Sequence, residues 1–217
     1  MKLTIIGDGS FGSFFKELLS PHFELTPWEG GKTADSIILA VPISAYASIA
    51  AQCFGEHHLI NVCSVQKPST DILLGFADRV TSIHPLFGRR TPVENRNSIL
   101  TYSYNEHLKT DDMWWTPEDD SEREFLRRFK NVSSIIDNNQ SLGGWKRFTP
   151  DTHDILMAKT HVSAMMAAKQ LSVFTDRVKD VPDELLPNSF RLMRNFVKTL
   201  DDMPAGTIES IMANPYI

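Results

Sequence analysis

Cysteine, long apolar runs and surplus positive charge are all scarce in this chain of 217 residues. Cys53 and Cys63 belong to no framework of paired spacings, which excludes a disulfide-stapled fold and predicts two reduced, buried thiols. No apolar run approaches the roughly eighteen residues of a membrane span, and residues 3–6 are too few for a signal peptide core. We therefore expect a soluble, cytoplasmic protein.

The charge balance limits the classes of partner. The formal net charge is −5, whereas nucleic acids and acidic membranes are recognised by clusters of lysine and arginine, so neither is an expected partner. No histidine or cysteine cluster has metal-ligand spacing, and we expect no metal. Hydrophobic residues make up 41% of the chain, which is typical of a globular protein and leaves a small-molecule substrate as the expected partner.

Short β-rich runs alternate with helical patterns over the first two thirds of the chain. The clearest strand is predicted at residues 36–41, and its continuous apolarity is typical of a strand buried on both faces of a parallel sheet. Other strands are predicted at 3–6, 22–26, 59–62, 80–83, 98–102 and 132–136. Helices are predicted from Gly12 to residue 19, at 45–54, and at 122–129 after a cap at Ser121. This alternation predicts a doubly wound parallel α/β sheet.

The pattern changes after Pro150. Residues 152–178 contain no proline or glycine and repeat apolar side chains at helical spacing, and shorter helices are predicted at 189–200 and 207–213. We divide the chain into a sheet domain at 1–150 and a small helical domain at 151–217. Because roughly 65 residues of helix bury little surface alone, we expect this domain to pair with a second copy in a homodimer.

The segment Gly7-x-Gly9-x-x-Gly12 follows the first strand directly and opens a helix. In that context the first glycine makes a tight turn and the second lets the backbone approach a pyrophosphate. The third allows close packing of helix on strand, and the helix N-terminus faces the phosphate charge. The motif predicts a Rossmann dinucleotide site that includes Ser10 and Phe11; a glycine-rich turn without a ligand is the alternative.

The choice between NAD and NADP depends on residues beyond the second strand. An acidic residue about twenty positions after the glycines binds the ribose hydroxyls of NAD, and Glu29 stands at that distance from Gly9. Lys32 lies near enough in sequence to meet the additional phosphate of NADP. We favour NAD and keep NADP open.

Three further segments resemble the prephenate/arogenate dehydrogenase family. Residues 36–42 are similar to its strand ending in Val-Pro, here Val41-Pro42, where the loop borders the nicotinamide. Residues 61–67 are similar to its Ser-Val-Lys segment. Residues 82–88, Ser-Ile-His-Pro-Leu-Phe-Gly, resemble its His-Pro-Met/Leu-Phe-Gly segment, the most family-specific of the three.

Two later segments extend the resemblance over almost the whole chain. His153-Asp154 at the start of a long helix resembles the opening of the family's substrate domain, and residues 187–191 match a weaker pattern. The resemblance is strongest over residues 1–90 and is that of a short and divergent member.

The resemblance implies a hydride transfer in tyrosine biosynthesis. The family removes a hydride from the hydroxyl-bearing ring carbon of a cyclohexadienol, with loss of the ring carboxylate and aromatisation. His84 would accept the hydroxyl proton, because an imidazole near neutrality can do so. Ser64, at the carboxyl edge of the same sheet, would hydrogen-bond His84 and the substrate hydroxyl.

The chain departs from the family where the substrate carboxylates should bind. Gln66 takes the place of the family's lysine, with Lys67 one position later, and Thr199 takes the place of an arginine. His161 falls one position before the usual histidine. The substrate-binding candidates are therefore Lys67, His161, Arg191 and Lys198, with Arg194 as another cation nearby.

Two other interpretations stay open. Another small Rossmann reductase, of the pyrroline-carboxylate or ketopantoate reductase type, would share the glycine motif and the Val-Pro strand but would not need Ser64 and His-Pro-Leu-Phe-Gly. A non-catalytic, nucleotide-sensing relative would explain the missing arginine at Thr199.

Overall fold

A mostly parallel sheet forms the centre of the computed structural model, which describes residues 1–29, 34–53, 57–104, 121–136 and 148–217. The strand order is β2-β1-β3-β4-β5-β6-β7, and every neighbouring pair is parallel except β5 and β6. The strands are β1 (Lys2–Ile6), β2 (Glu24–Leu25), β3 (Ser36–Leu39), β4 (His58–Asn61), β5 (Val80–Pro85), β6 (Asn97–Ser103) and β7 (Ser134–Ile136).

The described helices divide between the sheet region and the C-terminal region. They are α1 (Ser10–Leu19), α2 (Tyr46–Gln52), α3 (Lys67–Leu74), α4 (Ser121–Phe129), α5 (Pro150–Met157), α6 (Ser163–Asp176), α7 (Asn188–Asp201) and α8 (Ala205–Met212). A π-helical turn, Ala158–Val162, joins α5 to α6, so the single long helix predicted at 152–178 is observed as α5, this turn and α6.

Both faces of the sheet are buried, as the continuous apolar strands predict. On one face Ile37 and Leu39 pack in a cluster with side chains of α2 and α3. On the other face Ile38 packs in a cluster with Phe15 of α1 and Phe125 of α4. Strand side chains alternate between faces, so each face needs its own helical layer. The predicted α/β fold with a helical C-terminal part is confirmed.

The predicted parallel sheet contains one antiparallel pair of strands. β6 runs antiparallel to β5, because residues 86–96 carry only a short 3₁₀ turn, Val93–Asn95. A parallel return needs a crossover of roughly a dozen residues or more, usually with a helix. The reversal sets Ile99 of β6 opposite His84 of β5.

Several predicted boundaries change in the structure. β2 is confined to Glu24–Leu25, β3 ends at Leu39, and β7 begins at Ser134. Helix α3 was not predicted, since its opening Lys-Pro-Ser-Thr is typical of a turn. The loop predicted at 105–120 lies outside the described residues.

The helical part is joined to the sheet by its own apolar cluster and by a capped helix start. Thr149 caps α5 in a capping box with Thr152, and Met157 packs with Ile99 and Phe148. The division near residue 150 stays a prediction. Both cysteines are free and buried, as predicted, and no helix among the described residues is long and apolar enough to cross a membrane.

Candidate active site

The glycine turn after β1 is shaped by two close backbone contacts. Gly7 has a φ of 129°, and a Cβ atom there would lie 2.2 Å from the carbonyl oxygen of Ala40, so only glycine fits. A Cβ atom on Gly12 would lie 2.3 Å from the oxygen of Gly7. A Cβ atom on Gly9 would meet no atom of the described residues within 4 Å. The turn is therefore tightly packed on its inner side and open at Gly9.

The N-terminus of α1 has the properties of an anion site. Its N-cap, Gly9, supplies no side-chain hydrogen bond, and the first turn contains no acidic residue. The first backbone N–H groups of the helix are thus not capped by a side chain. Asp8, the acidic residue of the turn, pairs with Lys16 at 2.6 Å. These features fit the pyrophosphate of a dinucleotide.

The other predicted cofactor residues differ in placement. Ser10 is exposed at the start of α1, whereas the ring of Phe11 stacks on Phe15 at 4.9 Å between centroids. Val41 and Pro42 follow β3 at the same edge of the sheet as the glycine turn. Phe11 therefore offers this edge mainly its backbone.

Glu29 does not stand at the end of the second strand. β2 ends at Leu25, and Glu29 is exposed four residues later. The hydroxyl of Thr26, directly after β2, lies 2.9 Å from that of Thr4. Lys32 lies outside the described residues, so the structure gives no placement for the alternative phosphate contact.

His84 lies near the end of β5 and is 3% exposed. Its Nδ1 atom is 2.9 Å from Nε2 of His153, and Nδ1 of His153 is 2.8 Å from Oδ1 of Asp154. His153 and Asp154 are fully buried in the middle of α5. These three side chains form a continuous hydrogen-bonded chain from the helical part to the sheet edge.

Asp154 accepts hydrogen bonds both at its carboxylate and at its backbone carbonyl. The backbone N–H groups of Gln66 and Lys67 donate to Oδ1 and Oδ2 at 2.8 and 2.7 Å. The side-chain amide of Asn214 donates to the backbone carbonyl of Asp154 at 2.8 Å. Helix α3 has no capping side chain of its own, so Asp154 performs that role from α5.

His153 and Asp154 were identified from the sequence as part of a motif, without a role in the site. A signal was present, because two ionisable residues stand immediately before the apolar run Ile155-Leu156-Met157. An ionisable pair on the side of a helix that faces the core needs partners. The partners lie far away in sequence, which is why the pattern alone did not identify them.

A third histidine completes the cluster. The ring of His161, on the π-helical turn, meets that of His84 edge-on at 5.7 Å between centroids. Its buried Nδ1 has no hydrogen-bond partner among the residues that the structure describes. Burial lowers the pKa of His84 well below its ordinary value, and His153 and His161 lower it further. Burial, and then His153, lower the pKa of His161. The neutral form is therefore favoured for His84 and for His161.

Ser64 is at the predicted edge but not in the predicted bond. It is half-buried between β4 and α3. Among the residues described, His84 makes its side-chain hydrogen bond to His153 rather than to Ser64. The hydroxyl of Ser64 is thus not committed to the imidazole.

Gln66 and Lys67 have separate environments. Gln66 is fully buried, and its amide donates to the carbonyl of Cys63 at 2.5 Å and accepts from Thr101 at 2.6 Å. The ammonium of Lys67 pairs with Asp71, whose hydrogen bond raises the pKa of Lys67. The residue that replaces the family's lysine is therefore a core residue.

The cations of α7 are not gathered at His84. Arg194 donates to the carbonyl of Val178 at 2.7 Å and to Asp183 at 2.6 Å, so it stabilises the connection between α6 and α7. Arg191 and Lys198 are exposed, and neither forms an ion pair with a residue in the described part of the chain. The predicted substrate residue that the structure does bring to His84 is His161.

Comparison with solved structures finds the same fold in three dehydrogenases. Prephenate dehydrogenase from A. aeolicus, in complex with hydroxyphenyl propionate and NAD⁺, is 15% identical, with a TM-score of 0.66 over 99% of this chain and 82% of that one. A putative prephenate dehydrogenase from Corynebacterium glutamicum is 14% identical, with a TM-score of 0.68 over 97% and 73%. Synechocystis arogenate dehydrogenase is 18% identical, with a TM-score of 0.56 over 98% and 84%.

The sequence itself matches no family model and no curated protein. The resemblance predicted from the motifs is therefore confirmed at the level of the fold.

Proposed function

We propose that this chain is an NAD(P)-dependent oxidoreductase of the prephenate/arogenate dehydrogenase type. The observation that carries the proposal is the position of His84, a buried imidazole at the end of β5. The glycine turn after β1 lies at the same edge, since β1, β3, β4 and β5 are parallel. In open α/β sheets, ligands bind at this carboxyl edge.

The residues around the glycine turn fit a dinucleotide. Gly9 leaves its outer side open, and the uncapped N–H groups of α1 would bind the pyrophosphate. Val41 and Pro42 would border the nicotinamide, which supplies the hydride acceptor when bound. We propose NAD as the cofactor. NADP stays the alternative, because Glu29, the residue expected to bind the ribose of NAD, is displaced from the end of β2.

His84 supplies the base. As the hydride leaves the hydroxyl-bearing ring carbon, the hydroxyl becomes acidic, and the neutral imidazole accepts its proton. The bond to the ring carboxylate then breaks with release of CO₂, its electron pair enters the ring, and the proton returns to the oxygen of the resulting phenol. Ser64, at the same edge and not bonded to His84, is the proposed donor to the substrate oxygen.

The test separates binding from chemistry. NADH and NADPH fluorescence titration measures cofactor binding, and turnover is then measured with prephenate and with arogenate. His84→Ala should lower turnover by about a hundredfold or more while cofactor affinity stays unchanged. The matched control is His57→Ala, since the ring of His57 lies 3.3 Å from the carbonyl of Ala34.

Each alternative has its own outcome. Cofactor binding without turnover of either substrate would favour the nucleotide-sensing relative, and turnover that survives His84→Ala would remove the assigned base. Absence of cofactor binding would contradict the dehydrogenase proposal as a whole.

We also propose that the helical part pairs with a second copy of the chain. Large apolar side chains on α6 and α7 are exposed, namely Met166, Val173, Phe174, Leu192 and Phe196. The two helices pack against each other, and exposed apolar side chains on neighbouring helices are a candidate interaction surface. Sedimentation should give a dimer that Leu192→Glu dissociates, and a monomeric wild-type chain at micromolar concentration would contradict the proposal.

A further inference from the structure

We infer that Asp154 and His153 are positioning residues that hold His84 in the tautomer with its proton on Nδ1, leaving Nε2 as the proton acceptor. The catalytic meaning of this arrangement rests on the proposed function. The tautomer itself follows from the hydrogen-bonded chain and can be tested without a substrate.

The donors and acceptors of the hydrogen-bonded chain are assigned starting from Asp154. Its Oδ1 accepts from the backbone N–H of Gln66, and its Oδ2 accepts from that of Lys67. Backbone N–H groups can only donate, so both carboxyl oxygens are already acceptors. A carboxylate has no proton to offer, and Nδ1 of His153, 2.8 Å from Oδ1, must therefore be the donor.

The next hydrogen bond joins His153 to His84. With its proton on Nδ1, a neutral His153 has a lone pair on Nε2. That atom lies 2.9 Å from Nδ1 of His84, which must carry the proton of this bond. The remaining nitrogen of His84, Nε2, keeps a lone pair and makes no hydrogen bond with any residue that the structure describes. It is the basic atom offered to a substrate hydroxyl.

The same hydrogen-bonded chain stabilises His84 after His84 accepts a proton. The imidazolium keeps its Nδ1–H donated to His153, which in turn donates to the anionic Asp154. In serine proteases a buried carboxylate that orients one histidine performs this function, and placing that histidine in the wrong tautomer costs about 10⁴-fold. Here a second histidine stands between carboxylate and base.

The hydrogen-bonded chain also links the helical part of the molecule to the sheet. Asp154 and His153 belong to α5, His84 belongs to β5, and the donors to Asp154 open α3. His84 is therefore held in its tautomer only while α5 is docked on the sheet.

The direct test is nitrogen-15 NMR of the histidine side chains at neutral pH in the free protein, with His84 assigned by loss of its signals in His84→Ala. The expected spectrum shows a protonated Nδ1 and an unprotonated Nε2 for both His84 and His153. A protonated Nε2 on a neutral His84, or a doubly protonated His153, would overturn the inference.

Asp154→Asn should exchange the donor and acceptor roles in the hydrogen-bonded chain. With the amide oxygen facing the backbone N–H of Lys67, the NH₂ group takes the place of Oδ1 and donates to Nδ1 of His153, which becomes protonated on Nε2. His84 should shift to the Nε2–H tautomer, and turnover should fall by about a hundredfold or more. Asp151→Asn, on the same helix and bonded to Tyr216, is the control and should change neither.

A pair of variants at His153 keeps the inference testable if Asp154→Asn fails to fold. His153→Gln can offer an amide oxygen to His84, whereas His153→Leu fills the space without an acceptor. Turnover should be at least about tenfold higher for the glutamine variant, with cofactor affinity equal in both. Equal turnover would reduce His153 to a packing residue.

Failure of the inference differs from failure of the proposed function. Loss of the expected tautomer with intact NAD(P)H binding and turnover would overturn the positioning role alone. The expected tautomer in a protein that binds no NAD(P)H would overturn the dehydrogenase proposal alone.

Discussion

Nδ1 of His84 lies 2.9 Å from Nε2 of His153, and the two residues are 69 positions apart in the chain. One comes from the end of a sheet strand and the other from the first turn of a helix in the C-terminal part. Neither histidine is exposed. Their bond makes the state of the candidate base depend on how α5 packs against the sheet.

The pH dependence of activity should reflect the environment of His84. Burial, then His153 and His161, lower its pKa, so the basic form persists below the ordinary histidine value of about 6.5. The acid limb of kcat/KM, which reports the free enzyme, should therefore lie below pH 6.5. His161→Ala should move the limb upward by admitting water and removing one neighbour, while His57→Ala should leave it in place. A wild-type limb at or above pH 6.5 would contradict this assignment.

Another buried histidine, His58, should make folding stability depend on pH. The Nδ1 atom of His58 lies 2.9 Å from the hydroxyl of Ser36, and its Nε2 atom lies 2.8 Å from the hydroxyl of Thr81. Burial lowers the pKa of His58 from 6.5 to about 3. The unfolded chain therefore binds a proton below pH 6.5 that the folded chain does not. Stability from this group is complete above that pH and is lost on acidification, by at most about 1.4 kcal/mol per pH unit.

The measurement for His58 is urea unfolding at pH 7 and pH 5. His58→Gln should destabilise the protein at pH 7 and reduce the difference between the two pH values. An unchanged difference would show that other groups are responsible.

Alanine at the three glycines of the turn should separate folding from binding. Gly7→Ala places a Cβ atom 2.2 Å from Ala40 at a positive φ, which should cost on the order of 1–3 kcal/mol or more. Gly9→Ala meets nothing and should preserve stability while weakening NADH binding. Gly88→Ala, also in open space, is the control for both measurements. Thermal unfolding and NADH titration provide the two readouts, and equal stability of the Gly7 and Gly9 variants would contradict the geometry.

Restoring the family's lysine should not restore a substrate contact. Gln66→Lys would bury an ammonium group and remove the acceptor that Thr101 uses, so a loss of several kcal/mol is expected. Lys67→Gln, at the surface, should change the free energy of unfolding by about 0.5 kcal/mol or less. Chemical denaturation compares the two, and a stable Gln66→Lys protein with a lower KM would show that this position faces the substrate.

The glycine turn and most strands were predictable because they depend on local chemistry. A glycine pattern between a strand and a helix has few conformations, and strands buried on both faces show continuous apolarity. Helix α3 escaped prediction because its first turn contains Pro68 and small polar residues. The reversal of β6 also escaped, because strand direction depends on the link that precedes it rather than on the strand itself.

The candidate site was predicted in part. His84 and Ser64 were named from a short motif and a strand end, but the partner of His84 is His153. Gln66 was interpreted as a departure from a substrate lysine, whereas its side chain lies in the core between Cys63 and Thr101.

The amino-acid sequence by itself determined the glycine turn, the buried strands and the presence of a histidine at a strand end, since each depends on neighbours within a few residues. Only the tertiary structure decided what that histidine can do. Asp154, His153 and His84 meet through the packing of α5 on the sheet. The direction of a hydrogen bond is set by atoms in contact, which no spacing along the chain specifies.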